Sequence, residues 1–429
     1  MRLWIRGIAA LAILLLLPGC YGVRIRVDVP ESTRLRTIAT PRNIYADDLD
    51  FGGLRQAADM SRDYFRRSTQ SIGFSLGRDT FSKAQIAASI DAFMRIMEET
   101  PSGQVGRRIA RECRAYTPMR TPRFTAYYEP VLTASKEKTE RFRYPVYAKP
   151  DELTLVRLAD FFPDDLRHLH GSVDSGKLLP YLTRQQIDGN GRLDGRGLEL
   201  AWVDDPVALF FLHIQGSGRL RIDDGVMRVN YAASNGLPYT SIGRYMLDNG
   251  ILRSGSSGAI RTYLSGNPNA RDDIMFRNQR YIFFREVELA ANEGPIGSLG
   301  VPLVAGRSIA TDSRYIPPGV LMYIRSKRPI TDENGELTGW ESFSRFAFSH
   351  DSGAAIKGPA RADIYWGEGE EAGAQAGYMS QGGKMVVLMC GVSPNRAGTR
   401  RAGQSGRAFT RVAWTDVVDG HGATAGAGM

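Results

Sequence analysis

The sequence predicts an α+β protein that is mainly β, with helices near its start and short strands through the rest. An apolar stripe of helical period runs through "SKAQIAASIDAFMRIMEE". "RLRIDDGVMRVNY" alternates apolar and polar residues on both sides of an Asp-Gly turn, the pattern of a β-hairpin. The C-terminal part holds short apolar runs broken by turn residues, and 47 glycines among 429 residues exceed the usual ~7%, as a turn-rich chain requires.

Residues 1–20, "MRLWIRGIAALAILLLLPGC", set Arg2 and Arg6 before an apolar run from Ile8 to Leu17. That run is shorter than the ~20 residues of a membrane span and fits the core of a signal peptide. Leu17-Pro18-Gly19-Cys20 resembles a bacterial lipobox, although Pro18 is an unusual occupant. Outer-membrane anchoring through a lipidated Cys20 and a freely soluble periplasmic form both stay open. Residues 21–46 read as an irregular lead-in and 47–125 as a helical part. There Leu54, Ala58 and Phe65 recur at helical spacing, followed by the stripe Ile86, Ile90, Phe93 and Met97.

From about residue 123 the character changes. "RFTAYYEPVL" and "LELAWV" read as strands, then comes the hairpin, then two short helices, "SIGRYMLDNG" and "GAIRTYLSG", each closed by a glycine. "NPNARDDIMFRNQRYIFF" leads into a second β region. Its strands are "RSIATD", "VLMYIRS", "RFAFS", "ADIYWG" and "KMVVLM", and their shortness and spacing predict a closed barrel. Residues 396–429 read as a flexible basic, Gly-rich tail.

A net charge of +9 points to an acidic partner, although no single run of Lys and Arg dominates. The chain has no H-E-x-x-H and no paired C-x-x-C, and it has one G-x-S-x-G, "GFSLG" at 73–77; "MSQGGKM" and "GEGEEAG" miss the phosphate-loop and dinucleotide spacings. His168 and His170 read as a surface pair, and His213 as structural. His350 adjoins Asp351 with its role open. Cys113 and Cys390 either pair or stay single. Carboxylates remain as the chemistry. In "ADIYWG", Asp363 and Tyr365 should share one face and Ile364 and Trp366 the other. Burial would then favour a neutral, proton-donating Asp363, while Lys357 and Arg361 would oppose that if they came close. From chemistry alone, a strand-end aspartate capping a turn is the simpler reading.

"DSGAAIKGPARADIYWG", residues 351–367, resembles the signature of the membrane-bound lytic transglycosylase A (MltA) family. "FTAYYEPVLTAS", "YPVY", "LAWVDDPVALFFLHIQGSGRL", "NQRYIFFRE" and "GSLGVPLVAGRSIATDSRYIPPG" look like further landmarks of that family, in the same order, between about residues 50 and 390. The resemblance implies a double-psi β-barrel domain with the N-terminal helices packed alongside. A second β-rich domain would be inserted at 126–274, the barrel would occupy 275–395, and a glycan groove would lie between the two.

It also implies a periplasmic, monomeric peptidoglycan lytic transglycosylase without cofactor or metal, acting on glycan strands rather than nucleic acid. Such an enzyme cuts the β-1,4 bond between N-acetylmuramic acid and N-acetylglucosamine and leaves a 1,6-anhydro ring. One aspartate serves as acid and then base, because the tethered C6 hydroxyl replaces water. The family's acid maps onto Asp363 and its companion onto Asp351. Tyr127, Tyr128 and Trp202 would stack on sugars or pack in the core. Gln215 and Ser217 would touch ligand from a Gly-rich turn, and Lys357 would bind substrate carboxylates or shape the turn. Ala354 stands where a second glycine is expected, and at positive φ it would cost about 1 kcal/mol. Ala126 stands where glycine is more usual. An aspartic protease, a further enzyme class, would need two D-S-G triplets; besides 351–353 the chain has one at 174–176. A non-catalytic peptidoglycan-binding protein on the same scaffold is the remaining alternative.

Overall fold

The computed structural model of the protein describes residues 35–41, 46–67, 73–161, 168–223 and 225–395. The expected signal peptide, Cys20 and the tail from 396 lie outside them. The chain opens with β1 (Leu35–Ile38), helix α1 (Leu54–Arg67), hairpin β2 (Gly73–Leu76) and β3 (Asp79–Ser82), and helices α2 (Lys83–Glu99) and α3 (Ser102–Glu112). Strands β4 (Cys113–Pro118), β5 (Arg123–Glu129), β6 (Val131–Ser135) and β7 (Tyr144–Tyr147) follow. Then come β8 (Leu153–Arg157), β9 (His168–Asp174), β10 (Lys177–Pro180) and β11 (Glu199–Val203).

Helix α4 (Pro206–Gln215) precedes the hairpin β12 (Ser217–Ile222) and β13 (Gly225–Ser234). Helices α5 (Ile242–Asp248), α6 (Ser257–Gly266) and α7 (Pro268–Phe276) lead to β14 (Ile282–Glu286). The C-terminal part holds β15 (Ser308–Thr311), β16 (Leu321–Thr331), β17 (Leu337–Asp351), β18 (Arg361–Glu368), α8 (Gly369–Tyr378), β19 (Ser380–Gly382) and β20 (Lys384–Cys390).

The result is a mixed α/β fold made mostly of strands. One sheet has nine strands in the order β1-β4-β20-β16-β17-β15-β18-β5-β19, and another has six in the order β14-β13-β12-β6-β11-β7. The nine-stranded order has two ends, β1 and β19, so the closed barrel expected from strand length is not seen in the pairing among the described residues. Sheet membership also shifts the expected boundaries. Strand β5 stays with the nine-stranded sheet through Glu129, past 125, and β14 stays with the six-stranded sheet through Glu286, past 274.

Local chemistry explains the helices. Ser82 and Gln85 form a reciprocal capping box at the start of α2, and Ile86, Ile90 and Phe93 are buried as the stripe predicted. They pack in the main core with α1 and the inner face of the nine-stranded sheet. The lead-in was expected to be irregular, yet Leu35–Ile38 pairs with β4 as β1. A short hairpin, β2–β3, interrupts the helical part. Cys113 and Cys390 face each other in register across β4 and β20 and form a disulfide. A second core lies between α4 and the six-stranded sheet.

Candidate active site

Four neighbouring strands place the candidate acid. On β15, Ala310 is in register with Asp351 of β17 on one side and with Asp363 of β18 on the other. Asp363 is in turn paired in parallel with Thr125 of β5. Asp351, Ala310, Asp363 and Thr125 therefore form a row across the sheet, with the two aspartates two strand spacings apart, about 10 Å.

The alternation expected in "ADIYWG" is present. Ile364 belongs to the main core, and Trp366 packs against it. Tyr365 lies on the other face in a small separate cluster with Tyr127, Leu303, Ala310 and Ile356. Asp363 is fully buried. Thr125 Oγ1 donates to its Oδ1, and among the described residues Oδ2 receives no hydrogen bond. Burial pushes the carboxyl up to about 6, opposed by the Arg361 guanidinium and the Thr125 hydroxyl and reinforced by the charge of Asp351. The companion is held differently. Asp351 accepts from Tyr127 Oη at 2.8 Å and from the Ser298 and Ser352 amides at 2.8 and 2.9 Å.

Of the two cations in the turn between the aspartates, Arg361 acts on Asp363 and Lys357 does not. The Lys357 side chain is exposed; desolvation lowers its ammonium, which feels Asp312, Arg314 and Arg280. Asp312 also accepts from the Gly358 amide at 2.7 Å and so ties down that turn. The backbone of Ala354 is not left-handed, so alanine at that position carries no strain of the anticipated kind; Gly358 takes the positive φ, 88°.

The other candidates are dispersed. Tyr128 points away from Tyr127, receives a hydrogen bond from Arg261 at 2.7 Å, and lines a separate cleft of about 510 Å³ with Glu336 and Glu370. Gln215 is buried and accepts the Tyr128 backbone amide at 3.2 Å, bracing β5 from the end of α4. Ser217 is buried at the start of β12. Trp202 sits on β11 with Lys138 Nζ 4.9 Å from its ring.

His350 is buried between Ser61 and Ser308 at 2.9 and 2.8 Å, and burial pushes its imidazole down to about 3, so it is a neutral packing residue. His213 is buried against Arg184 and Tyr281. The His168 side chain falls outside the described residues, and His170 packs against Gly236.

The reading of residues one by one missed Thr125. The signal was available, because "RFTAYYE" has strand period and places Thr125 on the Tyr127 face.

Residues 123–285 match the family model described as the MltA specific insert domain, and residues 307–389 match the 3D domain. Membrane-bound lytic murein transglycosylase A of Escherichia coli (strain K12) is 30% identical over 270 residues, which span 62% of this chain and 65% of that protein, just under two thirds of its length. The crystal structure of the membrane-bound lytic murein transglycosylase from Agrobacterium tumefaciens is 30% identical with a TM-score of 0.68, and the match covers 83% of this chain and 98% of that one. MltA from Neisseria gonorrhoeae in its monoclinic form is also 30% identical, with a TM-score of 0.64 over 84% of this chain and 94% of that one.

Proposed function

This chain belongs to the MltA family, and we propose that it is a peptidoglycan lytic transglycosylase in which Asp363 acts first as acid and then as base. The observation that carries this reading is a fully buried carboxyl with one oxygen held by Thr125 and the other without a donor among the described residues. With Oδ1 engaged, the proton belongs on Oδ2. A carboxyl near 6 holds both protonation states within reach of neutral pH, as acid-then-base chemistry requires.

In the proposed reaction, Oδ2–H protonates the oxygen joining N-acetylmuramic acid to N-acetylglucosamine. The C1–O bond breaks, the glucosamine end leaves as an alcohol, and positive charge develops at C1. The ionised Asp363, with Arg361 as counter-charge, then takes the C6 hydroxyl proton while O6 bonds to C1 to close the 1,6-anhydro ring. The tethered nucleophile removes the need for a second carboxylate. Ile356 of the turn packs with Tyr127, Leu303, Ala310 and Tyr365, and Asp363 is fully buried, so the proposed reaction requires the turn to move aside for glycan.

The parallel pairs β15–β17 and β18–β5, side by side in an otherwise antiparallel sheet, support the double-psi connectivity. We take residues 130–286 as the inserted domain and the groove between the two sheets as the glycan site. Of the expected substrate contacts, Trp202 and Lys357 stay proposed, whereas Tyr127, Gln215 and Ser217 are buried and Tyr128 lines a separate cleft. The relatives are named membrane-bound and the N-terminal sequence fits export, which supports a location in the cell envelope, with a lipidated Cys20 and a freely soluble form both open. No described helix is long and apolar enough to cross a membrane.

Mass spectrometry of digested sacculi tests the reaction. Muropeptides ending in 1,6-anhydromuramic acid are expected. Reducing ends in their place would mean that water attacks, and the lyase mechanism would be wrong.

A further inference from the structure

We propose that Glu129 is a positioning residue for this reaction: it locks the six-stranded sheet against the strand pair that carries the acid. The kinetic part of the inference rests on the transglycosylase reading; the structural part does not.

Glu129 ends β5, on the same face as Thr125 and Tyr127, and is 1% exposed. Arg219 of β12 and Arg228 of β13 stand directly opposite each other in the hairpin register. Like charges so placed repel unless an anion lies between them. Glu129 supplies that anion from the other sheet. Arg228 Nη2 donates to both of its oxygens at 2.9 and 3.0 Å, and Arg219 Nε donates to Oε2 at 3.0 Å. Arg219 also pairs with Glu368 at the end of β18. Two carboxylates and two guanidiniums leave the cluster neutral as a unit.

Other N–H groups of the two guanidiniums reach the segment by which the chain returns from the six-stranded sheet. Arg228 Nη1 donates to the carbonyls of Ala290 and Glu293 at 3.2 and 2.8 Å, and Arg219 donates to those of Ala291 and Glu293 at 3.3 Å each. Glu129 itself stands at the outgoing crossing, next to Pro130. One cluster thus grips both passages of the chain between the sheets. Its carboxylates come from β5 and β18, the strands whose register sets Thr125 against Asp363.

Buried ion clusters are weak evidence of stability, since apolar replacements often serve as well. Their bonds do fix direction as well as distance. Swinging the six-stranded sheet about its crossings requires breaking them, so Glu129 holds glycan bound on that sheet in line with Oδ2 of Asp363.

The test uses the full chain carrying Glu129→Gln, and a second variant, Glu129→Gln with Arg228→Gln. The single variant leaves two guanidiniums facing a neutral amide and should melt early. The double variant leaves Arg219 neutralised by Glu368 and should recover most of the melting temperature. In both, kcat on sacculi should fall on the order of 10- to 100-fold, the loss that small misplacement produces. The pH profile set by Asp363 should not move, and amide exchange over 287–295 should accelerate. A double variant with wild-type kcat, or wild-type exchange over 287–295, overturns the proposal. Absence of anhydro product from the wild-type protein is a separate failure, of the reaction itself, and the exchange measurement then decides the lock alone.

Discussion

The paired strands β5 and β18 carry a buried carboxyl near each end, and the two are treated in opposite ways. At one end Glu129 is 1% exposed and takes three hydrogen bonds from two guanidiniums. At the other Asp363 is 0% exposed and takes one hydrogen bond, from a neutral hydroxyl. Burial is equal, so burial alone does not make an acid. The number and charge of the donors decide whether a buried carboxyl is suited to fasten strands or to carry a proton.

The largest effect expected from breaking this contrast is Asp363→Asn. Activity on sacculi should fall about 10²- to 10⁴-fold, the usual contribution of a general acid. Stability should move the other way. The folded-state value of about 6 lies above the ordinary 3.8, so the folded protein binds the extra proton between those limits and loses stability as pH rises through them. The cost at pH 8 is about 3 kcal/mol, which a neutral amide escapes in large part. Thermal melts should show the variant more stable than wild type at pH 8 and equal to it near pH 3.5. A variant no more stable at pH 8 would mean that burial does not penalise the charged form of Asp363.

Next in size come the two groups that oppose neutrality. Arg361→Gln removes the stronger and should raise the Asp363 value further, moving the alkaline limb of the pH–rate profile upward. Thr125→Val should move it the same way by less, and should also lower kcat on the order of tenfold because Oδ1 loses its anchor. A profile that moves downward in either variant reverses the assigned sign.

This contrast separates what is legible in the sequence from what is not. The alternation in "ADIYWG" is local, a consequence of strand period, and it put Asp363 on the face of Tyr365. The capping box and stripe of α2 are local too. The partner of Asp363 is not, because Thr125 is 238 positions away and meets it through a parallel pairing that no short pattern encodes. The same gap hid the meeting of Glu129 with Arg219 and Arg228 and the choice between Lys357 and Arg361. Helix α8, "GEEAGAQAGY", escaped because small residues give it no apolar stripe; it packs by Ala372 and Ala376. Tyr127 and Tyr128 are adjacent in sequence, yet one packs in a small buried cluster and the other lines a cleft, since neighbours on a strand face opposite ways.

The smallest effect should come from Asp351→Asn. Asp351 reaches Asp363 through charge alone and is the last-ranked of the influences on it. Its removal should lower the Asp363 value and move the alkaline limb of the profile downward, opposite to the Arg361 and Thr125 variants. The asparagine oxygen can still accept from the Ser298 and Ser352 amides, while its amide nitrogen faces Tyr127, whose hydroxyl can turn from donor to acceptor. The stability cost should therefore be about 1 kcal/mol. Loss of activity as complete as that of Asp363→Asn, with the fold intact, would make Asp351 a participant in proton transfer rather than a fixed charge, and the division of labour along the row would have to be redrawn.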